Sequence, residues 1–118
     1  MTVRGVARII VSVEDLERSL RLYRDALGLT EMYQRDELAM LHVPPAGPEV
    51  MLHQRPPAAG LASVAVGYTV DDVDAATLAA VAAGATLVDP PADEPWGERQ
   101  SVLTDPDGNV VCLVSPPR

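Results

Sequence analysis

Nine arginines, no lysine, two histidines and one cysteine set the chemistry open to this 118-residue chain. Without lysine there is no Schiff base and no Walker-type phosphate loop. His53 lies in the apolar run Val50–Gln54. There it is a ligand contact or a general base, or else a strand histidine satisfied by solvent or a neighbour. His42, on the preceding run, poses the same choice, and the two pair only if their side chains share a face. Cys112 is flanked by Val110, Val111, Leu113 and Val114. That is the company of a small buried hydrophobe. A nucleophilic role needs a lowered pKa and a base, for which His53, at a roughly symmetric place in the other half, is the candidate. Trp96, in Glu94-Pro95-Trp96-Gly97-Glu98, either stacks on a planar ligand or plugs the end of a core. Tyr68 and Tyr33 sit on strands from which a hydroxyl could enter a groove, whereas Tyr23 falls on an inward helix face. Glu98 and Arg99 line a groove mouth or form a surface pair of little energetic weight. No His-Glu-x-x-His, Gly-x-Ser-x-Gly, Gly-x-Gly-x-x-Gly after a strand, or Cys-x-x-Cys is present.

The elements that position these residues are duplicated. Val11-Ser12-Val13-Glu14-Asp15-Leu16 ends one strand and opens a helix that stops at Gly28. Tyr68-Thr69-Val70-Asp71-Asp72-Val73, 57 residues on, does so again, and that helix stops at Gly84. Asp15 and Asp72 are N-cap residues by type and place, and the glycines suit a left-handed helix end. Leu16, Leu20, Tyr23 and Leu27 make one helix face; Val73, Ala76, Ala80 and Val81 make the other. Strands are expected at 6–13, Leu29–Arg35, Leu38–Val43 and Val50–Gln54, then at Ser63–Val70, Thr86–Val88, Arg99–Thr104 and Asn109–Val114. Pro90–Gly97 reads as a loop, and Asp105-Pro106-Asp107-Gly108 as a hairpin turn. Each half is therefore β-α-β-β-β, with modules at 1–56 and 61–118 joined by a Pro-rich linker. The fold expected is α+β, two βαβββ modules forming an open, curved, barrel-like mixed sheet with helices outside.

Apolar residues make up 47% of the chain, enough for one domain with a real core. No apolar run reaches the ~18–20 residues needed to span a bilayer, and no secretory signal is visible. A cytoplasmic location and no membrane partner are expected. The net charge of −8 argues against nucleic acid and favours cationic over anionic ligands.

The βαβββ repeat, the segment Val13-Glu14-Asp15-Leu16-Glu17-Arg18-Ser19 with Tyr23 and Leu27-Gly28-Leu29, and the late Asp105-Pro106-Asp107-Gly108-Asn109 together resemble the vicinal oxygen chelate superfamily. That superfamily includes glyoxalase I, extradiol dioxygenases, fosfomycin-resistance transferases and bleomycin-resistance proteins. The resemblance implies a homodimer and a cleft that takes a small molecule. It also implies where a metal would be held. In metal-dependent members a histidine commonly stands seven residues before the capping Asp; here that position is Arg8, and Ala65 in the repeat. A glutamate three residues after the Asn of the late turn is replaced by Cys112, and the fourth position lies near His53. The set implies a metal-independent binding protein of the drug-sequestering branch, with Arg8, His53, Tyr68, Trp96 and Cys112 as ligand contacts. Arg8 could clamp a ligand carboxylate or phosphate, or pair with Glu98 or Glu14. No cofactor is expected, although a divalent metal is left open. The alternative is an enzyme, a glyoxalase-like lyase or isomerase or a dioxygenase, with a non-standard metal or metal-free acid–base site.

Overall fold

The computed structural model describes residues 7–57, 65–95 and 97–116. They group into two compact units that divide between Pro57 and Ala58. Each unit carries one helix and one four-stranded mixed sheet, and neither sheet is closed. In the first unit β1 (Arg8–Val13) leads into α1 (Leu16–Leu20), and β2 (Thr30–Arg35), β3 (Leu38–His42) and β4 (Glu49–Gln54) follow. In the second, β5 (Ala65–Thr69) leads into α2 (Val73–Ala82), and β6 (Thr86–Asp93), β7 (Arg99–Thr104) and β8 (Val110–Val114) follow. The sheet orders are β1-β4-β3-β2 and β5-β8-β7-β6, each with one parallel pair and two antiparallel ones. The expected class and the βαβββ order are both observed.

Both helices begin on the expected aspartates. Asp15 Oδ1 accepts from the Arg18 N–H at 3.1 Å, and Asp72 Oδ1 from the Ala75 N–H at 3.0 Å. Each satisfies a donor that a helix start would otherwise leave open. The Leu16 N–H also donates to Gln54 Oε1 at 2.9 Å, which ties α1 to the face of β4 that Gln54 shares with Leu52 and Val50.

The helices end differently. α1 passes directly into a π-helical segment, Arg21–Ala26, while α2 is regular. In the first unit Leu27, Gly28 and Leu29 donate to the carbonyls of Leu22, Arg24 and Tyr23. In the second unit Ala83, Gly84 and Ala85 donate to Ala79, Val81 and Ala80. Every bond in the first set spans one residue more than its counterpart. A π turn is how a helix absorbs a single inserted residue. The insertion explains why the capping aspartates are 57 residues apart and the terminal glycines 56. Gly28 and Gly84 have φ of +79° and +110°, so both stops require the left-handed region.

Two expected helix faces are corrected. The π turn rotates the end of the first helix, so that Leu22 is buried with Leu16, Leu20 and Tyr23, while Leu27 is only half-buried. In α2 the buried residues are Val73, Thr77 and Ala80, and Val81 is exposed. Thr77 is admitted because its hydroxyl is satisfied: Oγ1 donates to the Val73 carbonyl at 2.6 Å and shares a 2.8 Å hydrogen bond with Ser101 Oγ on β7. A third correction concerns Pro90–Gly97, whose first residues are strand. β6 is the outer strand of its sheet and its register slips between Asp89 and Ala92. Pro90 and Pro91 lie in that slip, where the ladder does not need their missing N–H groups.

Strand side chains alternate between the two faces of each sheet. One face packs under the helix and holds Val11, Val13, Ala39, Leu41, Val50 and Leu52 in the first unit. The corresponding face of the second unit holds Tyr68, Ser101, Leu103, Val111 and Leu113. The opposite faces carry the remaining side chains.

Candidate functional site

The pairing registers arrange the face of the first sheet away from its helix in three rows. Arg8, Glu49, His42 and Thr30 form one. Ile10, Met51, Met40 and Tyr33 form the next, and Ser12, His53, Leu38 and Arg35 the third. Ile10 is 50% and Tyr33 42% exposed, His42, Met51 and His53 are half-buried, and Met40 is buried. The face therefore mixes thioether, aliphatic and aromatic surface with one guanidinium, one carboxylate and two imidazoles. It has the few-polar-anchors character of small-molecule sites. The same count in the second sheet gives Ala65, Val110, Thr104 and Thr86, then Gly67, Cys112, Val102 and Asp89, then Thr69, Val114, Gln100 and Ala92. Both outer strands bulge at the same place, with Met32 skipped in β2 and Val88 in β6.

Of the residues singled out in the sequence, Arg8 and His53 share the first sheet's open face, two rows apart. Arg8 Nε lies 3.6 Å from Glu49 Oε1, its partner straight across the parallel ladder. The expected partners Glu14 and Glu98 give way to it because register puts Glu49 within reach. The His53 imidazole makes no hydrogen bond among the described residues. Cys112 lies on the open face of the second sheet between Gly67 and Val102. Burial pushes its thiol above the ordinary value, the opposite of the lowered pKa that marks a nucleophilic cysteine. Tyr68 belongs to the helix-covered face with Leu113 and Ser101 and is 9% exposed. Its hydroxyl has no hydrogen-bond partner among the described residues. Burial, with Asp105 adding like charge, pushes its pKa up to about 12. Trp96 lies outside the described residues. Arg99 is held by Asp74 at 2.8 and 3.0 Å and by Asp93 at 3.1 Å, not by Glu98. Glu49, Met40 and Met51 were not singled out in the sequence, although counting by twos from His53 reaches Met51 and Glu49, and from His42 reaches Met40.

Register also corrects the symmetry between the halves. Arg8 pairs with Glu49 and Ala65 with Val110, so Met51 is the counterpart of Cys112, and His53 that of Val114. The four positions at which the fold family places metal ligands are accordingly Arg8, Met51, Ala65 and Cys112. A guanidinium has no lone pair to give and alanine has no donor atom. A thioether is too soft for the divalent ions of Lewis-acid catalysis, and one cysteine does not make the three-ligand open site that they need. In neither unit do these positions fit a catalytic metal. Nor does any group of three or more His, Cys, Asp or Glu among the described residues. No described helix is long and apolar enough to cross a membrane.

Two open cavities adjoin the first sheet. One of ≈ 460 Å³ is bounded by Glu14, Glu37, Gln54, Arg55, Pro56 and Pro57. Arg55 there donates from Nε to Ser12 Oγ at 2.7 Å. The other, of ≈ 260 Å³, is bounded by Met32, His42, Pro45, Ala46, Gly47 and Glu49.

Residues 5–113 match the model of the Glyoxalase/Bleomycin resistance protein/Dioxygenase superfamily. An uncharacterised protein of Mycobacterium bovis is 41% identical over 63 residues, 53% of this chain and 41% of that protein, so the match spans under half of the relative's length. Among solved structures, a glyoxalase-related enzyme from Fulvimarina pelagi superposes with TM-score 0.83 at 24% identity, covering 98% of this chain and 90% of that one. A glyoxalase/bleomycin resistance protein from Albidiferax ferrireducens T118 superposes with TM-score 0.79 at 26% identity, covering 95% and 98%.

Proposed function

Because the chain belongs to the Glyoxalase/Bleomycin resistance protein/Dioxygenase superfamily, we propose that it acts as a small-molecule-binding protein of that kind, metal-independent and drug-sequestering. The observation that carries this reading is the donor set: Arg8, Met51, Ala65 and Cys112 stand where a chelating enzyme needs carboxylates and imidazoles. What remains on the first sheet's open face is suited to holding a guest. Ile10, Met51 and Tyr33 supply apolar area, and Arg8, Glu49 and His53 supply polar anchors. The net charge of −8, with Glu14 and Glu37 beside one of the cavities, favours a cationic guest. A homodimer belongs to the same reading and is checked by light scattering in solution.

Calorimetric titration of the full chain with cationic glycopeptides and small carbonyl compounds, with and without a strong chelator, tests this function. The expected result is saturable binding of a cationic compound that the chelator leaves unchanged. His53→Ala should weaken it about tenfold, a loss of ~1.4 kcal/mol. Turnover of a carbonyl compound that the chelator abolishes would sink the proposal in favour of a metal-dependent enzyme. Turnover that survives the chelator but not His53→Ala would favour the metal-free acid–base alternative, for which His53 is the available imidazole.

A further inference from the structure

The smaller cavity beside the first sheet gathers a thioether, an imidazole and a carboxylate, those of Met32, His42 and Glu49, around the turn Pro45-Ala46-Gly47. Neither the metal positions of the fold family nor the proposed small-molecule site uses Met32 or His42. His42 and Glu49 face each other directly across the β3–β4 ladder. Met32 is the bulge residue of β2, two residues on from the Thr30 that pairs with His42. It is 48% exposed and packs into no core.

The state of His42 is set by its neighbours. Its Nδ1 lies 3.1 Å from the Val43 carbonyl oxygen. A carbonyl only accepts, so Nδ1 carries the proton and Nε2 holds the free lone pair. The same carbonyl accepts from the Gly47 N–H at 2.6 Å, and the Val43 N–H donates to Pro48 at 3.0 Å. The turn thus fixes the oxygen that fixes the tautomer. A histidine anchored through one nitrogen to a backbone carbonyl is the arrangement that orients metal-binding imidazoles.

We propose that this cavity binds a copper(I) ion through His42 Nε2 and Met32 Sδ, with the Glu49 carboxylate balancing its charge. The donor types decide the ion. Thioethers select soft copper(I) and are poor ligands for magnesium, calcium or zinc, and imidazole suits copper well. Glu49 is available to share, since its contact with Arg8 is a loose 3.6 Å between half-exposed groups. The second module supplies an internal control. It has the same bulge, but Val88, Thr104 and Val110 replace Met32, His42 and Glu49, and none of these offers a soft donor. One ion per chain is therefore expected.

Anaerobic titration of the full chain with copper(I) against a chromophoric chelator tests the site, with X-ray absorption of the loaded protein reading its donors. The expected result is one equivalent withheld from the chelator, with sulfur and nitrogen neighbours at the metal. His42→Ala and Met32→Leu should each weaken binding at least about tenfold. Cys112→Ser should leave affinity and spectrum unchanged. Met32 is exposed, so Met32→Leu keeps the fold even if His42→Ala does not. No copper withheld by the unaltered chain, affinity indifferent to both ligand substitutions, or binding abolished by Cys112→Ser would each overturn the proposal. The site does not rest on the small-molecule reading, whose test includes an arm in chelator that strips any copper.

Discussion

The two modules share a skeleton and differ in what they hang on it. Strand order, parallel pairing, N-cap aspartate and edge bulge coincide. The polar side chains do not. The first module's open face carries Arg8, Glu49, His42 and His53, where the second carries Ala65, Val110, Thr104 and Val114. The difference extends to the packed side. Leu20 and Ala39 of the first module correspond to Thr77 and Ser101 of the second, and all four are buried. Val11 and Tyr23 correspond to Tyr68 and Ala80, so the tyrosine has moved from helix to strand, and a small residue stands at the other place each time. Duplication preserves the backbone devices that any copy needs to fold. The interior stays buried while its side chains change, and the open faces are free to diverge, so one module gathers the chemistry.

The buried hydroxyl pair is where breaking this correspondence should cost most. Thr77→Val leaves Ser101 Oγ buried without its 2.8 Å partner. The expected loss is about 1–3 kcal/mol, the penalty of an unsatisfied buried hydroxyl. Adding Ser101→Ala removes the orphan and restores the all-apolar arrangement of Leu20 and Ala39, so the double variant should recover much of that loss. Urea unfolding of the two single variants and the double variant reads the cycle. Strictly additive losses would mean that the hydroxyls do not act as a pair and that the modules are not equivalent there.

Tyr68 gives a smaller effect of opposite sign. Its hydroxyl is buried without a partner among the described residues, so Tyr68→Phe should leave stability equal or raise it by about 1 kcal/mol. The pH dependence follows from its pKa of about 12 against an ordinary 10.0. Folding favours the neutral phenol, so the stability it confers is complete below pH 10 and falls as pH rises toward 12. Tyr68→Phe should therefore flatten that alkaline loss in thermal melts and leave ligand binding untouched. Weakened ligand binding in Tyr68→Phe would return the tyrosine to the site and undo its assignment to the core.

What could be read from the sequence follows the same division. Caps, glycine stops and the DPDG turn are local, and each element they predict is present. Partners across a sheet are not local. Thr77 looks like an outward residue until Ser101 is placed beneath it, and Val81 looks inward only while Thr77 does not. Arg8 and Ala65 could be aligned because each stands seven residues before its cap, with only strand and a short strand-to-helix turn between. His53 could not be aligned with Cys112, because the loops before their strands differ, and only pairing to β1 and β5 shows that Met51 holds that place. The strand through Pro90 and Pro91 was hidden for a related reason: a proline forbids a central strand and permits an edge strand, and strand order is a tertiary fact.

The smallest expected effect concerns a backbone difference between the helices of the two modules. The first helix is one residue longer between its cap and its glycine, and the surplus falls between Arg24 and Gly28. If the π turn only houses that residue, deleting Ala26 should convert the hydrogen bonds of Leu27, Gly28 and Leu29 to the narrower spans seen at Ala83, Gly84 and Ala85. Ala26 is half-buried and its side chain has no polar group to lose. Arg24 would keep its 2.8 Å bond to Glu31. Regular α-helical bonds replace the poorer π geometry, so stability should stay within about 1 kcal/mol of the parent or rise. Chemical denaturation reads the energy, and amide exchange at Leu27 and Gly28 reads the bonds. A loss well beyond that margin would show that the wide turn supports the burial of Leu22. The insertion would then be a built part of the first module and not a passenger of the duplication.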